Sequence, residues 1–545
     1  MSCSDLLDVT PKDKITDVSY WEKAEDFKLV ANGFYTFLEA MGPKDLNADV
    51  ATSWTRDTES NGTYVPSEES SVWNDSYSQL RTVNYLLSQA EHYEKQDEIK
   101  QYIAEAKFFR AYIYYRLLVT FGGVPLISKP LDIDSDELMA PRNSREEVVD
   151  FILEDLDAAI PSLPLESEIS SSEKGRVSKG AAFAFKARVS LFEATWQKFR
   201  DGDTKNYNSL FDLAILSAKE VMMSKQYELF TSLGDSSYKY MFILENQKSN
   251  PGNYIKKDNR EYILVNKYEF GIRTYSFSHF LMQQYLPTRK IADMYLSKNG
   301  LPIDHVENNL YRGKDVSGAE FLDRDLRMIN TFRVPGKRYY CYGSMARDYS
   351  NPNAPGIGIF ESMPGAGYQV HKFMTERNVS TSDEGADFPV IRYPEVLLIY
   401  AEALFERYGQ ISDDDLNKSI NILRKRAKIE PLTNAFVSRY GLSMRDEIRR
   451  ERTVELFMEG YRLIDLKRWK TAVDELKKPL LGIKYRGTSV EEEHPDPDKK
   501  YLIDNEGYIV LESSEDRHFS DKHYLQPLPL KQLFLNPNLE QNPGW

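Results

Sequence analysis

The sequence predicts a mainly α-helical protein, a scaffold of stacked helix pairs carrying a large irregular, loop-rich lobe. Three observations lead there. Long stretches repeat apolar residues at helical spacing, Ala24 to Met41 being the first, with Phe27, Val30, Ala31, Phe34 and Leu38 on one face. Small residues recur within several of these stretches, as in Ala104/Ala106/Ala111, Ala181/Ala184/Ala187 and Ala401/Ala403, and small residues let helix axes approach closely. Between about 225 and 390 the periodicity fails and Gly, Pro, Asn and Ser punctuate the chain.

The remaining helices follow in order. Val72 to His92 carries Val72, Tyr77, Leu80, Val83 and Leu87 on one face. Ile99 to Thr120 is apolar at helical spacing until Gly122-Gly123-Val124-Pro125 stops it, glycine by admitting left-handed backbone and proline by refusing to continue. Ser144 ahead of Glu146 and Glu147 reads as an N-cap with first-turn acids, opening a helix to Ile160. Ser178 caps another to about Lys198, and Asp212 to Met223 follows. Pro394 to Tyr408, Asp413 to Lys428 and Met444 to Lys470 complete the set. No strict 34-residue period is visible, so the pairs are degenerate tetratricopeptide-like units and not a regular array. Within 225–390, Tyr262 to Val265 is strand-like and 287–298 is helical; loops of this kind usually carry binding residues. The expected organisation is a tail over 1–19, a helical region over 20–230, an irregular ligand-binding lobe over 231–390, and a helical region with an extended tail over 391–545.

Composition excludes several functions. A net charge of -14 offers no basic field for duplex nucleic acid. Two cysteines, Cys3 and Cys341, make no disulfide framework, and seven scattered histidines form no HExxH metal site. No apolar run reaches the ~20 residues that span a bilayer. Phosphate-binding glycine loops and the GxSxG nucleophile elbow are missing. Asp132 to Glu137 begins like a calcium loop but lacks its glycine and distal glutamate, and reads as an acidic surface loop. No cofactor, metal or catalytic residue is expected.

Carboxylates are densest at Glu451, Glu455, Glu459 and Asp465, interleaved with Arg449, Arg452, Arg462 and Arg468. A glycosidase acid needs a raised pKa, and arginine neighbours work against one, so this set reads as a structural ion-pair network. Arg392, Glu395 and Glu402 read the same way. Aromatics in polar loops carry more information, because sugar rings stack their CH faces on aromatic planes while polar groups satisfy the hydroxyls. The candidates are Trp54, Tyr64 and Trp73 with Arg56, Asp57 and Asn61 nearby, and Tyr275, Phe277, Tyr339 and Tyr342 in the irregular lobe.

Several segments, taken together, resemble the SusD/RagB family of Bacteroidetes outer-membrane lipoproteins. They include Cys3-Ser4-Asp5-Leu6-Leu7-Asp8, Tyr20-Trp21 with Ala31-Asn32-Gly33-Phe34-Tyr35, and Glu105-Ala106-Lys107-Phe108-Phe109-Arg110-Ala111-Tyr112 running to Phe121-Gly122-Gly123-Val124-Pro125-Leu126. Ile391-Arg392-Tyr393-Pro394-Glu395, Glu459-Gly460 with Arg462, and the ending Asn542-Pro543-Gly544-Trp545 continue the match, with Trp where the family more often has Tyr. The five opening residues by themselves fit either a native start or an end exposed by signal removal. The resemblance implies the second, with lipid on Cys3 holding the protein to the extracellular face of the outer membrane. It further implies a SusC-like TonB-dependent transporter as partner and an oligosaccharide as ligand. A same-fold receptor for peptide or another nutrient is the alternative reading, and a helical-barrel glycoside hydrolase a more distant one. Ligand contacts in the family lie in variable loops, so no motif carries them over, and the aromatic candidates rest on their local context.

Overall fold

The computed structural model describes residues 20–201, 207–334, 367–376, 382–496 and 500–545. Helix Ser71–Glu91 packs against Gln96–Phe121, and the latter against Arg145–Ala159. Lys179–Asp201 packs against Asn208–Met223, which packs in turn against Tyr393–Tyr408 across the whole irregular lobe. The caps explain the boundaries. Ser144 and Glu147 form a reciprocal capping box. Ser178 Oγ accepts the Ala181 amide at 3.1 Å. Pro394 sits in the first turn of Tyr393–Tyr408, and left-handed Gly409 ends that helix. The small residues are buried as expected, and close approach extends to Gly180, where a Cβ would lie 2.5 Å from the Tyr227 hydroxyl. Among the described residues no helix is long and apolar enough to cross a membrane.

Strand content is slight. β1 (Ala51–Thr52) pairs antiparallel with β3 (Leu286–Pro287), β2 (Tyr262–Asn266) with β4 (Phe388–Arg392), and β5 (Leu480–Lys484) with β6 (Tyr508–Glu512). Each ladder has two strands, and two of them fasten the irregular lobe: β1·β3 to the chain after the first helix, β2·β4 to the start of the C-terminal helices.

Two long helices expected from periodicity are broken. The stretch 413–428 divides into Asp413–Asn417 and Ile420–Ala427 around Ser419. The stretch 444–470 divides into Met444–Leu456 and Arg462–Arg468. Met458 and Gly460 have positive φ in the intervening turn, and buried Asp45 accepts the amides of Met458, Gly460 and Arg462. A carboxylate distant in sequence thus holds open three donors that a continuous helix would have used. Burial nonetheless pushes Asp45 up to about 6 against those three donors.

Glu459 consequently sits in the turn and not on the helix stripe, yet it joins the expected network. Arg392 of β4 reaches Glu459 at 2.6 Å, Glu455 at 2.6 Å and Glu261 at 3.0 Å. Arg426 bridges Glu261 and Glu455, both at 2.6 Å. Arg327 joins Asp325, Glu451 and Glu455, and Arg424 joins Glu447 and Glu451. Glu395 pairs with Arg188, and Glu402 with Arg468. Glu261, Asp325 and Arg327 belong to the irregular lobe, so the network also clamps lobe to scaffold. Arg449 departs from expectation: it lies over the Trp469 and Phe199 rings, and its Nε and Nη2 have no hydrogen-bond partner among the described residues.

Candidate functional site

The site is assembled around the β1·β3 ladder. Thr288 donates its amide to Val50 O at 3.0 Å and its hydroxyl to Asp49 O at 2.8 Å, and Asp49 is gripped by Arg462 through two 2.7 Å bonds. The strand is therefore fixed to the core up to Thr52. Beyond it the chain turns, with Ser53 Oγ donating to Thr55 O, and Trp54 projects with 48% of its surface exposed. Arg56 beside it pairs with Asp516 at 2.9 Å on the open surface. A half-exposed indole in a turn that leaves an anchored strand, next to an accessible guanidinium and carboxylate, suits a ring with an apolar face and peripheral hydroxyls.

At the other side of the lobe, Glu269 and Arg273 close a tight turn through left-handed Gly271. The turn presents Phe270, 45% exposed, and the more exposed Ile272. Arg273 lies 4.4 Å over the Tyr268 ring, and Tyr268 packs edge-on against Tyr275 at 5.0 Å. Tyr275 is half-buried and its backbone pairs with Glu384. Helix Phe277–Gln284 leads from this turn to β3, and its eight residues span about 12 Å. The two expected loop regions are thus joined by one short helix, with Trp54 beyond one end and the Phe270–Tyr275 turn beyond the other.

Other candidates serve the fold. Asp57 caps the short helix Thr58–Asn61 by accepting the Glu59 and Ser60 amides. Buried Asn61 donates to Glu512 at 3.0 Å and accepts from Thr63. Trp73, 5% exposed, packs tilted against Tyr77 and edge-on against Phe121 along the buried stripe of its helix. Phe277, also 5% exposed, packs with Phe280 and Phe373. The structure gives these four roles in the fold, as a cap, a hydrogen-bond donor and two packed rings, with little surface left for a ligand. Tyr64 is half-buried against His523 and Trp545, and Trp545 Nε1 donates to the carbonyls of Lys522 and Leu525, so this cluster pins the C-terminus. Tyr339, Tyr342 and Cys3 lie outside the described residues. Phe270 was missed; its signal was a Glu-Phe-Gly-Ile run, an apolar pair across a turn glycine in a loop.

The buried carboxylates are of two kinds. Glu455 loses by burial but is surrounded by Arg426, Arg392 and Arg327, which hold it well below the usual range. Glu402, likewise buried, is brought down to about 2 by Arg468. Neither keeps a proton to donate near neutral pH. Glu384 is different: burial pushes it up to about 7, against the amide and hydroxyl it accepts from Ser278 at the start of helix Phe277–Gln284. Neighbouring Glu245, which accepts from the Gly385 amide and from Gln247, raises it further. Among the described residues no group of three His, Cys, Asp or Glu side chains is arranged to hold a metal ion.

Known proteins share this design. The model of the SusD family matches residues 219–545, and a model described as starch-binding associating with outer membrane matches residues 7–191. SusD-like protein P38 of Formosa agariphila is 26% identical over 504 residues, covering 88% of this chain and 91% of that protein. A solved SusD-like protein of Bacteroides fragilis superposes with a TM-score of 0.75 at 23% identity, covering 98% of this chain and all of that one. A solved laminarin binding SusD-like protein superposes with a TM-score of 0.60 at 18% identity, covering 96% of this chain and 99% of that one. The SusD family model spans more than half of the sequence, on the scaffold that the helix pairs and lobe define, and the chain belongs to the SusD family.

Proposed function

We propose that this chain is a cell-surface receptor that captures an oligosaccharide, leaves it uncleaved, and delivers it to a SusC-like TonB-dependent transporter. In this reading lipid on Cys3 holds it at the extracellular face of the outer membrane. The observation that carries the reading is Trp54, a half-exposed indole in the turn that follows strand β1 of the β1·β3 ladder. The starch-binding description of the N-terminal family model and the laminarin-binding relative support a carbohydrate over a peptide. Neutralised carboxylates such as Glu402 and Glu455 support capture over hydrolysis.

A panel of plant, host and microbial glycans, laminarin included, tests this by calorimetry. Saturable binding of an oligosaccharide is expected; a protein that ignores every glycan but binds peptide would overturn it. The anchor is tested separately. A Cys3→Ala version exported behind a native signal sequence should leave the outer-membrane fraction in cells lacking the transporter. Continued partition with that membrane would contradict the lipid anchor.

A further inference from the structure

Away from the Trp54 surface, the helical scaffold encloses a second concavity. Its volume is about 280 Å³, and it opens between helices Gln96–Phe121, Lys179–Asp201, Tyr393–Tyr408 and Arg462–Arg468. The walls are largely apolar and aromatic, with Phe37, Tyr112, Val119, Phe192 and Ile464 among them. Ligand pockets run from roughly 300 to 1,000 Å³, so this one has room for a single ring and not for a chain.

Four arginines line it, and their hydrogen bonding divides them. Arg188 is used up by two 2.7 Å bonds to Glu395 and others to Val390 O and Tyr461, and Arg468 by Glu402, Asp465 and Thr195. Arg452 is only 3% exposed and gives Nε to Asp465; its Nη1 is enclosed and has no hydrogen-bond partner among the described residues. Arg116 bonds only neutral groups, Ser76 Oγ at 2.9 Å and Gln79 Oε1 at 2.7 Å, and has no carboxylate within ion-pair distance among the described residues. The lining acids are already neutralised: Glu39 by Lys44, Glu459 by Lys372 and Arg392, Asp465 by Arg452 and Arg468. Among the described residues Arg116 thus has no close ion pair, Asp75 and Glu39 acting on it only at longer range, and Arg452 keeps unused donor capacity. A guanidinium without a close anion leaves its charge available to one, and a buried donor without an acceptor, as on Arg452, costs free energy until a ligand meets it.

We infer that this interhelical cavity is a binding site for a small ring-borne carboxylate, its charge met by Arg116 and Arg452 and its ring by the aromatic walls. A planar carboxylate matches the guanidinium fork in a way a neutral sugar does not. The ring belongs either to an acidic monosaccharide or to an aromatic acid.

Calorimetry and thermal melting of the intact protein with glucuronate, benzoate and glucose test the site. Saturable binding of glucuronate or benzoate is expected, whichever binds identifying the ring, with a rise in melting temperature and no effect of glucose. Arg116→Gln should weaken that binding by at least about tenfold, the loss of one charge-assisted contact. Arg116 sits on a half-buried helix face and bonds only neutral groups, so this variant keeps the buried ion pairs. Trp54→Ala should leave carboxylate binding unchanged, which separates this site from the glycan surface. Absence of saturable binding by both carboxylates, equal binding of glucose, or unaltered affinity in a folded Arg116→Gln protein would overturn the inference.

Discussion

Trp73 packs against Tyr77 and Phe121 inside its helix pair, whereas Trp54 stands in a turn among Thr52, Ser53, Thr55 and Arg56. The same side chain is thereby assigned to packing in one place and to solvent in the other. Trp54→Ala should weaken glycan binding by roughly tenfold to a hundredfold, since an aromatic stack on a flat ring contributes on the order of 1–3 kcal/mol. Its melting temperature should barely move. Trp73→Ala should do the reverse, costing about 3–5 kcal/mol of stability. Melting curves and isotherms on the same preparations check both. Glu455 sets a second residue-scale expectation. It accepts from Arg392, Arg426 and Arg327, so Glu455→Gln leaves three buried guanidinium groups short of charge. A loss of about 3–5 kcal/mol in urea unfolding is expected, with glycan affinity unchanged in the folded fraction. Neither partner choice is written locally. The interleaved Glu and Arg of 447–468 showed that a network exists, but Arg327, Arg392 and Arg426 reach it from other elements.

Elements with local causes were legible in the sequence. Caps at Ser144 and Ser178, the stop at Gly122 to Pro125 and the first-turn Pro394 are written within a few residues of the boundaries they set. Elements fixed from a distance were not. The break after Leu456 depends on Asp45, and the β2·β4 pairing joins segments more than a hundred residues apart. Helix Phe277–Gln284 was likewise hidden, since its start is held by Glu384 from the far end of the lobe. That contact carries a pH dependence. The folded protein holds Glu384 at about 7, above its ordinary 4.5, so folding favours the protonated carboxyl. Its contribution is complete below pH 4.5 and is lost as pH rises through 7, by up to ~3 kcal/mol. Glu384→Gln keeps an acceptor for Ser278 and removes the titration. Urea unfolding at pH 5 and pH 7.5 should show a smaller change in stability for the variant than for the parent. Equal changes would mean that Glu384 does not titrate in this range.

At the scale of the molecule, the helical scaffold was legible because burial of one apolar stripe per helix is a repeated, local rule. The site was less so. Loop aromatics share one composition whether they face outward, as Trp54 and Phe270 do, or inward, as Phe277 does, and only the packing of distant segments separates them. What the whole arrangement supplies is a rigid helical frame, a lobe clamped to it by buried charge, and an aromatic surface where the two meet. On the proposed reading of capture without cleavage, a glycan that docks there should leave intact. The most direct test titrates a bound oligosaccharide into the parent protein and into Trp54→Ala, then measures reducing ends in the same samples. The account predicts saturable binding by the parent, a tenfold to hundredfold weaker isotherm for the variant, and no new reducing ends in either. Appearance of new reducing ends with the parent protein, or an isotherm unaltered by loss of Trp54, would contradict it.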